Sequence, residues 1–124
     1  MNTDMARLLV LTLALLLTVP ALADVRVTVA IEGVEGEALD NVRAGLSLAQ
    51  REGQLITLRT ARDLHGLALA EIDRALQPYG FYAAEVLASL EPVGEQDRWS
   101  ATYRISPGEQ VRVTELVLDV EGPG

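Results

Sequence analysis

The chain has 124 residues, with 18 acidic residues against ten basic ones and a formal net charge of −8. This excess of negative charge argues against binding to nucleic acid or to an anionic membrane surface by charge alone. No cysteine is present, so the sequence excludes disulfides and thiolate metal sites.

The N-terminal segment has the layout of a secretory signal. An apolar run from Leu8 to Val19 follows the early Arg7, and Ala21-Leu22-Ala23 supplies the small residues of a cleavage site. The apolar stretch is shorter than the roughly 20 residues that span a bilayer. We therefore expect residues 1–23 to be a signal peptide that is cleaved between Ala23 and Asp24. An uncleaved membrane anchor or a lipid-proximal tether is the alternative.

A strand and a helix are predicted to open the folded part. Apolar residues alternate with polar or small ones over Val25–Ile31, which is typical of a strand with one buried face. Gly33 and Gly36 end this strand. Apolar residues then recur at spacings of three and four, which predicts a helix from Glu37 to Gln50 with Leu39, Val42, Leu46 and Ala49 on its apolar side.

A second helix follows a connector over residues 53–60 that is expected to lie against the core. Thr60 and Asp63 resemble a capping box. The next apolar residues, at spacings of four, are Leu64, Ala68, Ile72 and Leu76. Pro78 restricts the residue before it and should end the helix, with Gly80 at its exit.

Two further strands are predicted to form a hairpin. Alternation over Tyr82–Leu90 and over Trp99–Ile105 indicates two strands, joined by a polar turn at Pro92–Asp97. Trp99 shares its phase with Tyr103 and Ile105, so we expect it to face the core and not to form a binding hot spot.

The last residues resemble the first strand. Val111–Gly124 contains many of the same residues as Val25–Gly36, in the same order. The register that keeps the buried faces aligned sets Val27, Val29 and Ile31 against Leu116, Leu118 and Val120, because a slip of one residue would put the core face in water. We therefore interpret residues 109–124 as the start of a second, truncated unit of the same kind.

The strand–helix–helix–strand–strand order, the corner at Tyr79–Tyr82 and the strand-ending Pro107-Gly108 together resemble a POTRA domain, and in particular the first POTRA domain of the TamA family of outer-membrane assembly factors. The resemblance implies an α+β fold over residues 24–108. It implies a three-stranded mixed sheet covered by two helices, with the strands in the order first, third, second.

The resemblance also implies a location and partners. Family members place several POTRA domains in the periplasm before a C-terminal barrel in the outer membrane. This sequence resembles only the N-terminal part of such a protein, and we expect a partial gene product or a cut sequence. Contact with a TamB-like inner-membrane partner or with nascent outer-membrane proteins, including autotransporters, is implied. Its link to the outer membrane would run only through the missing barrel.

The strand order implied by the resemblance puts Tyr82–Leu90 at an edge of the sheet. An open edge can accept another extended chain through main-chain hydrogen bonds. The residues expected to bind a partner there are Phe81, Ala83, Glu85, Leu87 and Ser89. Two other functions stay open, namely a passive periplasmic spacer and a small secreted protein that binds an unknown target.

Residues that carry chemistry are sparse, and we predict no enzyme, cofactor or metal site. His65 is the single histidine and is interpreted as a solvated helix residue. Glu91, Glu95 and Asp97 do not have the spacing of a calcium loop. The serines at positions 89, 100 and 106 have no base nearby in the sequence, so a nucleophile is not indicated.

Overall fold

The computed structural model describes residues 20–111, with the side chains of residues 95 and 96 excepted. Strands β1 to β4 and helices α1 to α4 follow one another in the order β1 Asp24–Glu32, α1 Gly36–Gly45, α2 Ser47–Gln50, β2 Ile56–Thr57, α3 Leu58–Gly66, α4 Ala68–Leu76, β3 Glu85–Val93 and β4 Glu95–Ser106. A 3-10 turn at Gln77–Tyr79 follows α4. The predicted signal up to residue 19, and the predicted second unit from residue 112 onward, lie outside the described residues.

The strands form one mixed sheet in the order β2-β1-β4-β3. β1 runs parallel to β4, with Val27 opposite Trp99, and β3 runs antiparallel to β4. The α+β class and the order of the three long strands are those predicted. The number of strands differs, because Ile56 and Thr57 of the connector pair with the start of β1 and add a short fourth strand.

Each predicted helix is divided in two. α1 ends at Gly45 and α3 ends at Gly66, and glycine is among the least helix-favouring residues. Leu46, between α1 and α2, has extended backbone angles. The N-cap of α3 is Thr57, about one turn earlier than the predicted Thr60. The Thr57 hydroxyl accepts the backbone N–H of Thr60 at 3.1 Å.

The hairpin is longer and tighter than the sequence indicates. β3 begins at Glu85, after Tyr82, and the predicted polar turn is mostly strand. Gly94 alone separates β3 from β4, with φ of 63°, where glycine avoids a steric cost. Pairing of the two strands shifts between Pro92 and Val93, as in a β-bulge.

The core lies between the helices and one face of the sheet. Four residues of β4 point inward in the predicted phase and are buried: Trp99, Ala101, Tyr103 and Ile105. They meet Val25, Val27 and Val29 of β1, Leu46 between α1 and α2, and the buried residues of the helices, Val42, Leu48, Leu58, Ala61, Ala68, Ile72, Ala75 and Leu76. The core position of Trp99 is therefore confirmed. None of the helices in the described region is long and apolar enough to cross a membrane.

Candidate partner-binding edge of the sheet

β3 is an outer strand of the sheet. It pairs with β4 along one side, and over residues 20–111 no strand pairs with its other side. The outer side of such a strand presents backbone N–H and C=O groups that can bond to an added chain. The edge position expected for the Tyr82–Leu90 segment is therefore present in the structure, with the strand itself beginning at Glu85.

The opposite edge is covered by the chain itself. β2 pairs with the first residues of β1. Further along the same edge of β1, the loop that precedes β2 takes over. The backbone N–H of Gly53 donates to the Val27 carbonyl at 3.1 Å, and the Glu52 carboxylate accepts from the backbone N–H of Val29. Arg26 donates to the Gly53 carbonyl at 2.7 Å. The two edges therefore differ, because the loop before β2 satisfies backbone groups of β1 while β3 has no such cover among the described residues.

The usable length of the β3 edge is set by one residue. Pro92 has no backbone N–H, and the bulge beside it disrupts the regular ladder. An added strand could therefore pair with the segment from Glu85 to Glu91. We call this segment, Glu85–Glu91, the open edge.

The five residues predicted to bind a partner divide into two groups. Glu85, Leu87 and Ser89 lie in the open edge, and Leu87 is 75 % exposed. Phe81 and Ala83 precede β3. Phe81 is partly buried against the core and forms an isolated bridge with Gln110, so its side chain is less available than the sequence pattern indicates.

The face of the sheet away from the helices forms a shallow groove beside the open edge. Its volume is about 360 Å³, and its lining residues are Leu87, Ala88, Ser89, Glu91, Thr102 and Arg104. Arg104 lies opposite Leu87 on β4 and bonds to the Glu32 carboxylate at 3.1 Å. The groove thus joins an exposed leucine to polar side chains.

The helix-facing side of the open edge is only half covered. Val86 and Leu90 are partly buried against the core, while Ala88 between them is exposed. An apolar side chain on an added strand could extend the core here. Both faces of an added strand would therefore find neighbours on the open edge.

His65 is not the plain solvated residue that the sequence suggested. Its Nδ1 atom lies 2.8 Å from the hydroxyl oxygen of the buried Tyr103. Burial lowers the pKa of His65 from its ordinary value of 6.5. Burial, with a smaller contribution from the negative charge of Glu71, raises the pKa of Tyr103 to about 12. The pair is a structural contact between α3 and β4.

Among the side chains that the structure describes, no three histidine, cysteine, aspartate or glutamate residues come together in a group that could hold a metal ion. A second groove, of about 310 Å³, lies between α1 and α4 and includes Asn41, Glu71 and Arg74. Asn41 donates to the Ala75 carbonyl at 2.7 Å, and the Glu71 carboxylate accepts from Ser47. These polar groups bond within the protein and tie the helices together.

Comparison with known proteins identifies the family. The family model of the first POTRA domain of TamA matches residues 28–107, which is more than half of the chain. The chain belongs to this POTRA family. The fourth POTRA domain of Haemophilus influenzae BamA, in a crystal structure, is similar at 16 % identity and a TM-score of 0.49, covering 75 % of this chain and 100 % of that one. No curated protein matches the sequence significantly.

Membership of this family accounts for the sequence motifs from which the fold was predicted. The corner at Tyr79–Tyr82 and the Pro107-Gly108 junction both lie within or at the end of the matched region. The covering of β1 by Glu52 was missed, because it depends on where a loop packs in three dimensions. No spacing in the sequence signals that contact.

Proposed function

We propose that this POTRA domain is a periplasmic binding module of a TamA-like outer-membrane assembly factor. It binds an extended segment of a partner protein at the open edge and has no catalytic role. The partner is a TamB-like inner-membrane protein or a nascent outer-membrane protein. The observation that carries the proposal is the difference between the two edges of the sheet, one covered by Glu52 and Gly53 and the other open.

Strand addition fits this geometry for a physical reason. Backbone hydrogen bonds supply affinity that does not depend on the partner's sequence, while pockets for alternate side chains supply selectivity. The exposed Leu87 and the half-covered Val86 and Leu90 offer such contacts on the two faces of the open edge.

Photo-cross-linking in cells tests the proposal. A photoreactive residue placed at Leu87 should cross-link to a TamB-like protein or to an outer-membrane protein in transit. The matched control is Leu69, which is 54 % exposed but belongs to α4. Equal cross-linking from both positions, or none from Leu87, would contradict binding at the open edge.

A spacer is the second candidate, because the chain leaving β4 is held against the domain. The backbone N–H of Val111 donates to the Gly80 carbonyl at 2.8 Å, and the Gln110 side chain donates to the Tyr79 carbonyl at 2.8 Å. A fixed exit direction is what a spacer requires. A spacer tolerates blocking of the open edge, so loss of assembly after Leu87→Asp and Ser89→Asp together would support binding, whereas normal assembly would favour the spacer.

A further inference from the structure

The open edge begins and ends with an exposed glutamate. Glu85 and Glu91 lie on the face away from the helices. The residues of β4 directly opposite them are Ser106 and Ser100. No described side chain forms an ion pair or a hydrogen bond with either carboxylate, and the nearby Arg104 pairs instead with Glu32. Both negative charges therefore face whatever strand is added.

The spacing of these glutamates is symmetric about Ala88. Two copies of this chain that paired along the whole open edge would be antiparallel and related by a two-fold axis at that residue. Glu85 of each copy would then lie directly opposite Glu91 of the other. Like charges directly opposite one another destabilise a strand pair. The same edge that can accept a strand is therefore unfavourable for self-pairing.

We infer that the open edge selects an extended segment of a different protein that carries two basic side chains six residues apart, and that it rejects a second copy of this chain. This inference rests on the proposed strand addition. With basic residues opposite Glu85 and Glu91, both cross-strand pairs become attractive. The spacing holds for a parallel or an antiparallel partner, because the two glutamates mark both ends of the paired segment.

The positions between the two basic residues follow from the pleat of the strand. Residues opposite Val86, Ala88 and Leu90 lie on the helix-facing side and should be apolar. The residue opposite Leu87 shares its exposed face and should be apolar as well, with a small polar residue opposite Ser89. The expected ligand is thus a mainly apolar β-strand with a cationic residue at each end.

Two synthetic peptides of seven residues test the selection, both with valine and threonine at the inner positions. One carries lysine at both ends and the other carries glutamate. Titration against the purified chain should give a dissociation constant at least roughly tenfold lower for the lysine peptide, with the preference reduced by added salt. The double variant Glu85→Gln and Glu91→Gln should weaken binding of the lysine peptide to a similar extent.

A matched control removes two charges elsewhere. Glu37 and Asp63 are exposed residues of α1 and α3, so Glu37→Gln with Asp63→Asn changes the net charge equally and should leave peptide binding unchanged. Equal binding of the two peptides, or an equal effect of the control, would overturn the charge selection and leave strand addition in place. Binding of neither peptide would overturn both.

Self-association gives an independent readout. In the symmetric pair of two copies, Glu85→Lys would place a positive charge opposite Glu91 at each end of the paired segment. Sedimentation equilibrium should therefore show this variant dimerising roughly tenfold more tightly than the native chain, with Glu85→Gln in between. A native chain that dimerises as tightly as Glu85→Lys would overturn the rejection of a second copy.

Discussion

Trp99 is the chain's one tryptophan, and it lies in the core with 7 % of its surface exposed. Trp99→Ala should lower the free energy of unfolding by about 3–5 kcal/mol, because it removes the indole contacts and leaves a cavity. Urea unfolding followed by circular dichroism measures this. Leu87→Ala, at an exposed site, should change stability by no more than about 0.5 kcal/mol, so similar losses in the two variants would contradict the prediction.

His65 should make stability depend on pH. Its pKa is below the unfolded value of 6.5, so the folded state binds fewer protons than the unfolded state just below that pH. Stability should therefore be fully present above about pH 6.5 and fall as the pH drops through the folded pKa. His65→Asn keeps a polar side chain that does not titrate. Its urea midpoint should change less between pH 7 and pH 5, and an equal change would contradict the assignment.

At the scale of elements, Glu52 holds the loop before β2 against β1. Its carboxylate accepts from the backbone N–H of Val29 and forms an exposed ion pair with Arg43. Glu52→Ala should cost about 1 kcal/mol, because the backbone donor loses its partner at a partly exposed site. Glu52→Gln keeps an acceptor oxygen and should cost less. Faster hydrogen exchange at Val29 in Glu52→Ala alone is the expected signature.

The elements that could be predicted are those with a repeating pattern. Alternation over Val25–Ile31 and Trp99–Ile105 indicated β1 and β4, because each has one buried face. β2 was missed, since two residues are too few to show a period. The breaks at Leu46 and Leu67 were missed for another reason, as both residues are apolar and continue the helical pattern across the interruption.

The candidate site could be predicted only in part. The edge position of β3 followed from the resemblance to POTRA domains, and the exposed Glu85 and Leu87 followed from the period of two. The cover over β1 could not be predicted, because a glutamate in a loop carries no sign of the backbone group that it meets. The contact between His65 and Tyr103 was missed for the same reason, since it joins two distant elements.

For the whole molecule, processing is expected to produce an N-terminus at Asp24, which is the first residue of β1. The carbonyls of Ala21 and Ala23 accept from Arg59 and Leu58 at the start of α3, so cleavage would remove two hydrogen bonds there. N-terminal sequencing of the exported protein tests the cleavage site. Recovery of Met1 from a membrane fraction would instead indicate an anchor.

Gly80 controls how the chain leaves the domain. It has φ of 85°, and an added Cβ would lie 2.2 Å from the Val111 carbonyl oxygen. Gly80→Ala should therefore displace residues 110–111 and speed hydrogen exchange at Val111. Gly53→Ala is the matched control, because Gly53 has φ of 77° with nothing near the added Cβ. Unchanged exchange at Val111 in Gly80→Ala would show that the exit segment is held by other contacts.

The parallel pairing of β1 with β4 has a consequence for timing during synthesis. β1 is the first strand of the domain to leave the ribosome. The strand that completes its hydrogen bonds, β4, is the last of the described region, and Val27 can pair with Trp99 only after β4 is made. Closing so long a loop carries an entropy cost that local helices do not share. Until β4 arrives, the apolar face of β1 has no finished sheet to join. The growing chain therefore leaves this apolar face without its sheet partner for nearly the whole length of the domain, which is the kind of exposed surface that favours aggregation.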